Sequence, residues 1–388
     1  MTSDWKECKL GDICSRVTSG GTPKTTNAEY YENGTIPWLN TKEVHFNRIY
    51  STEKNITEAG LNNSSAKWIS KNNIIVAMYG ATAGNVAINK IPLTTNQACC
   101  NLEIDATKAD YNFIYYYLLK NYNILSSMAN GGAQQNLNSL QIKDFDILLP
   151  PLETQRKIAK VLGAIDDKIE LNNSINQNLE QQAMALYDNL ISRNKDSLEE
   201  RSLSEIANIT MGQSPDGSSY NEDGNGTVFY QGRAEFGFRY PTRRLYTTEP
   251  KRMAYCNDVL MSVRAPVGDI NVAYEDCCIG RGLAAIQSKN NTPSFILYTM
   301  FNLKKDLNIF NGEGTIFGSI NKDSLNSLKL HIPSREEILK FEQTVSPLDK
   351  LIKNNCSENI RLTQHRDTLL PKLMSGEIDV DKVEVNKI

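Results

Sequence analysis

The chain has 388 residues, a length that suits two or three domains rather than one. A hydrophobic content of 40% together with 23 glycines is typical of a soluble globular protein and excludes a fibrous or a disordered chain. The formal net charge of −3 excludes a protein that coats nucleic acid without regard to sequence, so positive charge directed at nucleic acid must be local.

The N-terminal segment, residues 1–10, is polar and lacks the apolar core of a signal peptide. The longest apolar run, residues 74–78, is too short to cross a bilayer. The eight cysteines form no C-x-x-C motif and, with only three histidines, offer no metal-ligand spacing, so they are interpreted as reduced and mostly buried. We therefore expect a cytoplasmic protein without a membrane segment or a metal site.

Two globular regions are predicted along the chain. The first covers residues 1 to about 149 and consists of short strand-like runs, such as 74–78 and 85–88, separated by Gly, Pro and Asn. One helix is predicted within it, over residues 111–125. The second region, residues 203 to about 332, has the same features, with its helix over residues 293–307. Both regions are predicted to be mixed α/β domains with a twisted, largely antiparallel sheet.

The two regions are copies of one module. Matching residues stand 183 positions apart near the end of each region: Leu137 with Ile320, Asn138 with Asn321, Leu149 with Ile332, and Pro150 with Pro333. Earlier in the modules the separation drifts to 184, 185 and 192, as insertions in surface loops would produce. This period is far longer than that of a solenoid, so the chain is interpreted as a duplication.

A long helix is predicted after each region. Spacings that alternate between four and three residues are typical of a coiled-coil seam, here about four heptads long. Each seam is expected to begin at a helix break, at Gly163-Ala164 and at Ser346-Pro347. The asparagines in the seam either fix the register between two packed helices or mark a frayed, partly exposed stretch. The seam positions are Ile165, Ile169, Asn172, Asn176 and Leu179 in the first helix and Leu348, Ile352, Asn355, Asn359 and Leu362 in the second.

Basic and polar side chains gather in the glycine-punctuated loops of both modules. Residues 233–264 are locally basic and alternate arginines with aromatic residues, which suits DNA phosphates but also an ordinary basic surface loop. Arg, Asn and Gln are the forked side chains that read base edges, although any one of them could instead stabilise its own loop. The candidate DNA-binding residues are Asn40, Tyr79, Asn96, Gln97, Gln134, Gln135 and Asn136 in the first module and Arg233, Arg239, Arg243, Arg244, Arg264 and Arg281 in the second.

Motifs for catalysis are not recognisable. The chain contains no G-x-x-x-x-G-K-[S/T] loop, and no Gly-rich dinucleotide or adenosylmethionine-type loop follows a strand. Asp166-Asp167-Lys168 has the D-x-K form of some nucleases, but a solvated helix face explains it better. Because amides occupy loops that hold arginines in the other module, we predict a non-catalytic chain that reads two different DNA half-sites. The alternatives are a nuclease or methyltransferase with an unrecognised catalytic site, and a scaffold that binds proteins only.

Several motifs resemble those of a known family. Residues 150–158 read Pro-Pro-Leu-Glu-Thr-Gln-Arg-Lys-Ile, and residues 369–378 read Leu-Leu-Pro-Lys-Leu-Met-Ser-Gly-Glu-Ile. Within the modules stand Gly21-Thr22-Pro23, Ile36-Pro37-Trp38-Leu39 and Gly280-Arg281-Gly282-Leu283. These motifs resemble those of the specificity subunits of Type I restriction–modification enzymes, over nearly the whole chain. Residues 332–336, where the second helix begins, depart from the double-proline form.

This resemblance implies a target recognition domain at residues 1–150, a central conserved helical region at 151–192, a second target recognition domain at 193–332 and a C-terminal conserved helical region at 333–388. The two helices would form an antiparallel coiled-coil spacer that docks two methyltransferase subunits, with motor–endonuclease subunits joining in the full complex. Each domain would read one part of a bipartite, asymmetric double-stranded DNA sequence. Adenosylmethionine, ATP and magnesium would bind to the partner subunits, and this chain would hold no cofactor.

Overall fold

A computed structural model describes residues 4–129, 136–311 and 318–383. The chain divides into two compact units, Met1–Ile169 with Arg361–Ile388, and Glu170–Ile360. Each unit holds one copy of the module and a part of each of two long helices, Leu152–Arg193 and Arg335–Met374. None of the helices in the described ranges is long and apolar enough to cross a membrane.

Among its described residues, the first unit contains three sheets. Its strands are β1 (Lys6–Lys9), β2 (Cys14–Ser19), β3 (Ile36–Leu39), β4 (Asn47–Ile49), β5 (Lys54–Ile56), β6 (Trp68–Ile69), β7 (Ile74–Ala77), β8 (Val86–Asn89), β9 (Leu93–Thr95), β10 (Cys99–Ile104) and β11 (Asp146–Leu149). They pair in the orders β2-β10-β7-β8-β4, β5-β3-β9-β6 and β1-β11. Its helices are α1 (Glu58–Asn62), α2 (Tyr111–Lys120), α3 (Tyr122–Ala129), α4 (Ser139–Lys143) and the first part of α5 (Leu152–Arg193).

The second unit repeats this arrangement. Its strands are β12 (Glu199–Ser202), β13 (Ala207–Met211), β14 (Tyr220–Asn221), β15 (Thr227–Tyr230), β16 (Leu245–Thr247), β17 (Met253–Ala254), β18 (Val259–Ser262), β19 (Ile270–Val272), β20 (Cys277–Ile279), β21 (Leu283–Ser288) and β22 (Lys329–Ile332). They pair in the orders β13-β21-β18-β19, β14-β16-β15-β20-β17 and β12-β22. Its helices are α6 (Leu203–Ile206), α7 (Pro293–Asn302), α8 (Lys304–Leu307), α9 (Lys322–Asn326) and most of α10 (Arg335–Met374).

The backbone repeats as the sequence does. The Met78 N–H donates to the carbonyl of Ala98 at 2.8 Å, and the matched Val263 N–H donates to the carbonyl of Gly282 at 2.9 Å. Left-handed backbone recurs at two matched pairs, Asn72 with Asn257 and Gly84 with Gly268. Parallel pairing is found between β3 and β9, β4 and β8, and β15 and β20, while the other described strand pairs are antiparallel. The prediction of two mixed α/β domains with largely antiparallel sheets is confirmed.

Strand β7 shows why the central strands read as continuous apolar runs. Its four residues are all buried, and they alternate between two cores. Ile74 and Val76 pack with Phe113 of α2, whereas Ile75 and Ala77 pack on the opposite face of the sheet. A strand covered on both faces needs apolar side chains at every position. Strand β18 of the second unit follows the same pattern, with α7 on one face.

The short helices differ from their prediction. Instead of one helix over residues 111–125, α2 ends at Lys120, and the side-chain amide of the C-cap residue Asn121 donates to the carbonyl of Tyr117 at 2.8 Å. The chain then starts α3 at Tyr122. In the second unit α7 ends at Asn302, and α8 begins at Lys304. A side-chain amide that bonds to the backbone competes with helix continuation, and hydrophobic periodicity does not register this competition.

The long helices also differ from expectation, because both run unbroken through the predicted breaks at Gly163 and Pro347. Pro347 is exposed, so the carbonyl that its missing N–H leaves without a partner can bond to water. On the same helix Val345 and Ile352 are fully buried. Their packing outweighs the local cost of the proline.

The start of each long helix is held by a different contact. In the first unit Gln155 is 1% exposed, and its amide oxygen accepts the N–H of Asp110 at 2.9 Å. Its amide nitrogen donates to the carbonyl of Pro150 at 2.8 Å. The glutamine of the double-proline motif therefore ties α5 to the start of α2. In the second unit Ile338 stands at the matched position and cannot make these bonds.

In the second unit a residue of the long helix caps the neighbouring helix. The N-cap residue of α7, Thr292, makes no side-chain cap bond, and the carboxylate of Glu342 accepts the N–H groups of Ser294 and Phe295 at 3.2 and 3.0 Å. Burial raises the pKa of Glu342. In the first unit α2 is capped by its own N-cap residue, Asp110. The matched helices are thus capped differently: α2 by the residue that precedes it, and α7 by a residue far away in the sequence.

We expect Glu342→Ala to lower the free energy of unfolding of the second unit by about 1–3 kcal/mol, because two helix N–H groups lose their acceptor. Glu342→Gln keeps an acceptor and should cost less. The raised pKa also favours the folded protein at low pH, so wild type should gain stability over Glu342→Gln as the pH falls from neutral toward about 4.3. Urea unfolding followed by circular dichroism measures both effects.

The matched control is Glu336→Ala on the same helix. Glu336 makes only exposed contacts, including a 2.7 Å ion pair with Lys340, so its loss should cost at most about 1 kcal/mol. Equal losses of stability for the two alanine variants would contradict the capping role of Glu342.

Candidate nucleic-acid interface

The two long helices of the second unit meet through asparagines. Asn172 Nδ2 donates to Asn359 Oδ1 at 2.9 Å, and Asn355 Nδ2 donates to Asn176 Oδ1 at 2.8 Å. Residue numbers rise along α5 as those of the partners fall along α10, so the helices are antiparallel in this unit. The asparagines are satisfied and fix the register, which excludes a frayed seam here. The remaining predicted seam residues are buried or half-buried: Ile165, Ile169, Leu179, Leu348, Ile352 and Leu362.

Arg239, predicted to contact DNA, is instead buried. Its side chain is 2% exposed, and its guanidinium pairs with Glu180 of α5 at 3.0 Å and with Asp349 of α10 at 3.2 Å. The guanidinium also donates to the hydroxyl of Tyr298 at 3.1 Å, and that hydroxyl donates to Asp349 at 2.9 Å. We call Glu180, Arg239, Tyr298 and Asp349 the Arg239 cluster. The prediction for Arg239 was wrong, because this guanidinium joins the globular domain to both long helices and cannot reach DNA.

Burial affects the protonation of two groups in this cluster. It raises the pKa of Glu180 and the pKa of Tyr298 above their ordinary values. Two carboxylates face one guanidinium, so the arginine is the charge that makes their burial tolerable. Removing one member of a buried ion-pair network is costly, whereas the intact network contributes little net stability. The Arg239 cluster is therefore a positioning device for the domain.

A related cluster occupies the matched place in the first unit. Tyr116 and Asp166 match Tyr298 and Asp349, and the Tyr116 hydroxyl donates to Asp166 at 2.5 Å. The cation is Arg366 of α10, which lies 3.0 Å from Asp166. Burial raises the pKa of Tyr116. The same tyrosine–aspartate pair thus takes its arginine from the long helix in one unit and from the globular domain in the other.

Asp166-Asp167-Lys168, which has the form of some nuclease motifs, is engaged in this packing. Asp166 belongs to the cluster just described, and Asp167 pairs with the side chain of Arg48. Within the described ranges, no group of three or more His, Cys, Asp or Glu side chains is arranged to hold a metal ion. These contacts explain the run without a catalytic role.

The ends of β15, β18 and β20 enclose an open cleft of about 480 Å³ in the second unit. Backbone hydrogen bonds hold the three strand ends together: Gly280 N–H donates to Tyr230 O at 2.8 Å, and Val263 N–H donates to Gly282 O at 2.9 Å. We call this the Arg264 cleft. The lining includes Gln231, Gly232, Arg233, Ser262, Arg264 and Arg281.

The exposed candidate arginines of the second unit fall into two classes. Arg264 and Arg281 are exposed, and neither guanidinium has a hydrogen-bond or ion-pair partner among the described residues. The other three exposed candidates are engaged in surface ion pairs: Arg233 with Asp269 at 2.7 Å, Arg243 with Glu275 at 2.5 Å, and Arg244 with Glu235 at 2.6 Å. Exposed pairs of this kind are weak, so a phosphate can displace the carboxylate.

Matched positions in the first unit carry different side chains. Tyr79 stands where Arg264 stands and is 43% exposed. Gln97 stands where Arg281 stands; it is exposed, and its amide oxygen accepts a hydrogen bond from the hydroxyl of Thr22. Because this bond holds the amide oxygen, it also fixes the orientation of the amide N–H₂ group of Gln97. Tyr79 and Gln97 therefore remain predicted DNA contacts.

The other candidates of the first unit have structural contacts or lie elsewhere. Asn40 accepts the N–H of Lys42 at 3.2 Å and caps a short 3-10 helix. Asn96 is 7% exposed and accepts the N–H of Ala98 at 3.2 Å, so it stabilises its own turn. Asn136 is exposed and bridges the backbone of Tyr79. Gln134 and Gln135 lie outside the described residues.

Sequence reasoning missed Gln231 of the cleft and Glu180 and Tyr298 of the Arg239 cluster. Gln231 follows β15 as Asn40 follows β3, so the internal repeat carried a usable signal for it. Glu180 and Tyr298 belong to no local motif, and only tertiary packing brings them to Arg239.

Known proteins resemble this chain in sequence and in fold. The family model described as Type I restriction modification DNA specificity domain matches residues 2–181 and again residues 195–364. The putative type I restriction enzyme MjaX specificity subunit of Methanocaldococcus jannaschii is 34% identical over 290 residues, which cover 69% of this chain and 68% of that protein. The type I restriction enzyme MjaIX specificity subunit of the same organism is 26% identical over 422 aligned positions, covering 99% and 95%.

A solved structure shares the fold. The crystal structure of the Type-I restriction-modification system S subunit from M. genitalium aligns with a TM-score of 0.62 at 20% identity, covering 95% of this chain and 96% of that one. The two matches to the family model each contain one copy of the internal repeat, with its own sheets. The chain therefore belongs to the Type I restriction–modification DNA specificity family and carries two specificity domains.

Proposed function

We propose that the chain is the DNA-reading subunit of a Type I restriction–modification complex and that each domain reads one part of a bipartite, asymmetric sequence. The observation that carries this proposal is the pair of matched strand ends with different chemistry. The guanidinium groups of Arg264 and Arg281 have no partner among the described residues, and Tyr79 and Gln97 occupy the same places in the other copy. One scaffold with two sets of exposed reading side chains suits two different half-sites.

Around these base-reading positions, the exposed arginines that hold surface ion pairs suit the DNA backbone. Arg233, Arg243 and Arg244 are predicted to contact phosphates, which fix the position of the protein but carry no sequence information. This local arrangement reconciles DNA binding with the net charge of −3. The acidic remainder of the surface is left for solvent and for partner proteins.

We further propose that two methyltransferase subunits dock on the long helices and that motor–endonuclease subunits join the full complex. Support comes from apolar side chains that the helices leave exposed, among them Leu171 and Ile175 on α5 and Leu351 and Ile360 on α10. Exposed apolar surface on a helix is typical of a protein-binding face. Adenosylmethionine, ATP and magnesium would be held by those partners in the cytoplasm, and this chain would hold no cofactor.

The test is to express the chain with methyltransferase subunits and to map methylated adenines across the genome. We expect a split motif that appears only when this chain is present, and DNA retention that falls steeply with salt. Methylation or cleavage by the purified chain alone, with adenosylmethionine and magnesium, would instead favour a catalytic protein. Salt-independent behaviour with no DNA retention would favour a scaffold for proteins.

A further inference from the structure

We propose that the part of the target read by the second domain contains guanine, and that Arg264 and Arg281 contact its major-groove edge. This inference rests on the proposed function and assigns a base to one of its half-sites. It follows from which arginines are available, from how their backbones are held, and from what stands at the same places in the first domain.

Availability separates these two arginines from the other candidate arginines of the second domain. Arg239 is buried in its cluster, and Arg233, Arg243 and Arg244 are held by carboxylates. When a guanidinium is paired with a carboxylate, some of its N–H donors are already in use. Such an arginine is better suited to exchanging the carboxylate for a single phosphate oxygen than to binding two acceptors of a base. Arg264 and Arg281 keep the whole fork open toward the cleft.

The backbones that carry them are fixed close together. Arg264 follows Val263, whose N–H bonds to Gly282, and Arg281 lies between Gly280 and Gly282. Both glycines are required, since an added Cβ would lie 2.8 Å from the backbone of Gln231 at Gly280 and 2.7 Å from it at Gly282. Two exposed side chains therefore start from backbone segments that hydrogen bonds hold together. Such preorganisation reduces the entropy lost when both bind.

Guanine is the base that this arrangement suits. Its O6 and N7 are both acceptors, and a guanidinium donates to the two of them at once. Adenine, with one donor and one acceptor on that edge, suits Asn or Gln instead. In the first domain Gln97 replaces Arg281 and Tyr79 replaces Arg264, so the arginine fork is absent from these two places. The requirement for guanine should therefore be confined to one half-site.

The experiment uses the full chain with its methyltransferase subunits and duplexes carrying the mapped target. Replacing guanine by 7-deazaguanine removes the N7 acceptor without altering base pairing. We expect this replacement in the second domain's half-site to weaken binding roughly 5- to 150-fold. In the double variant Arg264→Ala/Arg281→Ala, the same replacement should have little further effect, because both contacts are already lost. Replacement in the other half-site should be far less harmful.

Arg243→Ala is the matched control, since Arg243 is exposed but does not line the Arg264 cleft. It should weaken binding to all duplexes alike and leave the effect of 7-deazaguanine intact. The inference would be overturned if the half-site read by the second domain contained only A·T pairs, or if 7-deazaguanine did not affect specific binding. The proposed function would stand in either case. If the target were bound no better than a scrambled duplex, the proposed function would fail with it.

Discussion

Arg239→Ala is expected to lower the free energy of unfolding of the second unit by about 3–5 kcal/mol, enough to unfold a marginal domain. The side chain is 2% exposed and is the cation that faces both Glu180 and Asp349. Without it, two partly buried carboxylates and the hydroxyl of Tyr298 are left without their cation. An uncompensated buried charge is the reason for so large a loss. Urea unfolding of the full chain measures it.

Two variants test the cause of this loss. Arg233→Ala removes an arginine that pairs with Asp269 on the surface, and it should cost at most about 1 kcal/mol. Adding Glu180→Gln and Asp349→Asn to Arg239→Ala removes the uncompensated charge and should restore part of the stability. If Arg239→Ala were no worse than Arg233→Ala, the cluster would not be what holds the domain to the helices.

The same variant also tests the correction of its predicted role. Removing an arginine that binds a phosphate reduces the slope of log DNA affinity against log salt concentration by about one. Arg239 is buried away from any phosphate, so the folded fraction of Arg239→Ala should bind DNA with the slope of wild type. A reduced slope would return Arg239 to the DNA interface.

Exchange of residues 203–332 for the corresponding domain of a relative is expected to replace one part of the recognised sequence and leave the other unchanged. Each domain has its own sheets and its own core, so one domain can be exchanged without the other. Every mismatched base pair costs about 1–3 kcal/mol, roughly additively. A half-site of several bases therefore carries enough free energy for the chimera to abandon the original target.

The Arg239 cluster sets a condition on this exchange. Glu180 and Asp349 belong to the long helices and stay behind, while Arg239 and Tyr298 leave with the domain. We expect only incoming domains with an arginine and a tyrosine at these two places to fold well on the helices. Mapping methylated adenines with the chimera and with the reciprocal exchange of residues 1–150 measures the outcome. A change in both parts of the motif would mean that the domains do not read independently.

The amino-acid sequence alone determined the duplication, the class of the domains and the two long helices with asparagines in their seam. These features repeat along the chain, so they can be read from the order of residues without knowledge of the tertiary structure. Every second residue of β7 faces the same core, and Asn172 and Asn176 stand at seam positions of the heptad repeat. The matched positions of Arg264 with Tyr79 and of Arg281 with Gln97 were equally readable, because the two copies can be aligned residue by residue.

Only the tertiary structure decided which arginine is buried and which is available. Arg239 and Arg264 stand in similarly basic, glycine-rich stretches. Arg239 pairs with Glu180 and Asp349, which are 59 and 110 positions away in the chain. The guanidinium of Arg264 pairs with no carboxylate in the described ranges. The long-range cap from Glu342 and the unbroken helix through Pro347 are decided in the same way. The free energy of a charge depends on what surrounds it in space, and that is set by packing rather than by neighbours in sequence.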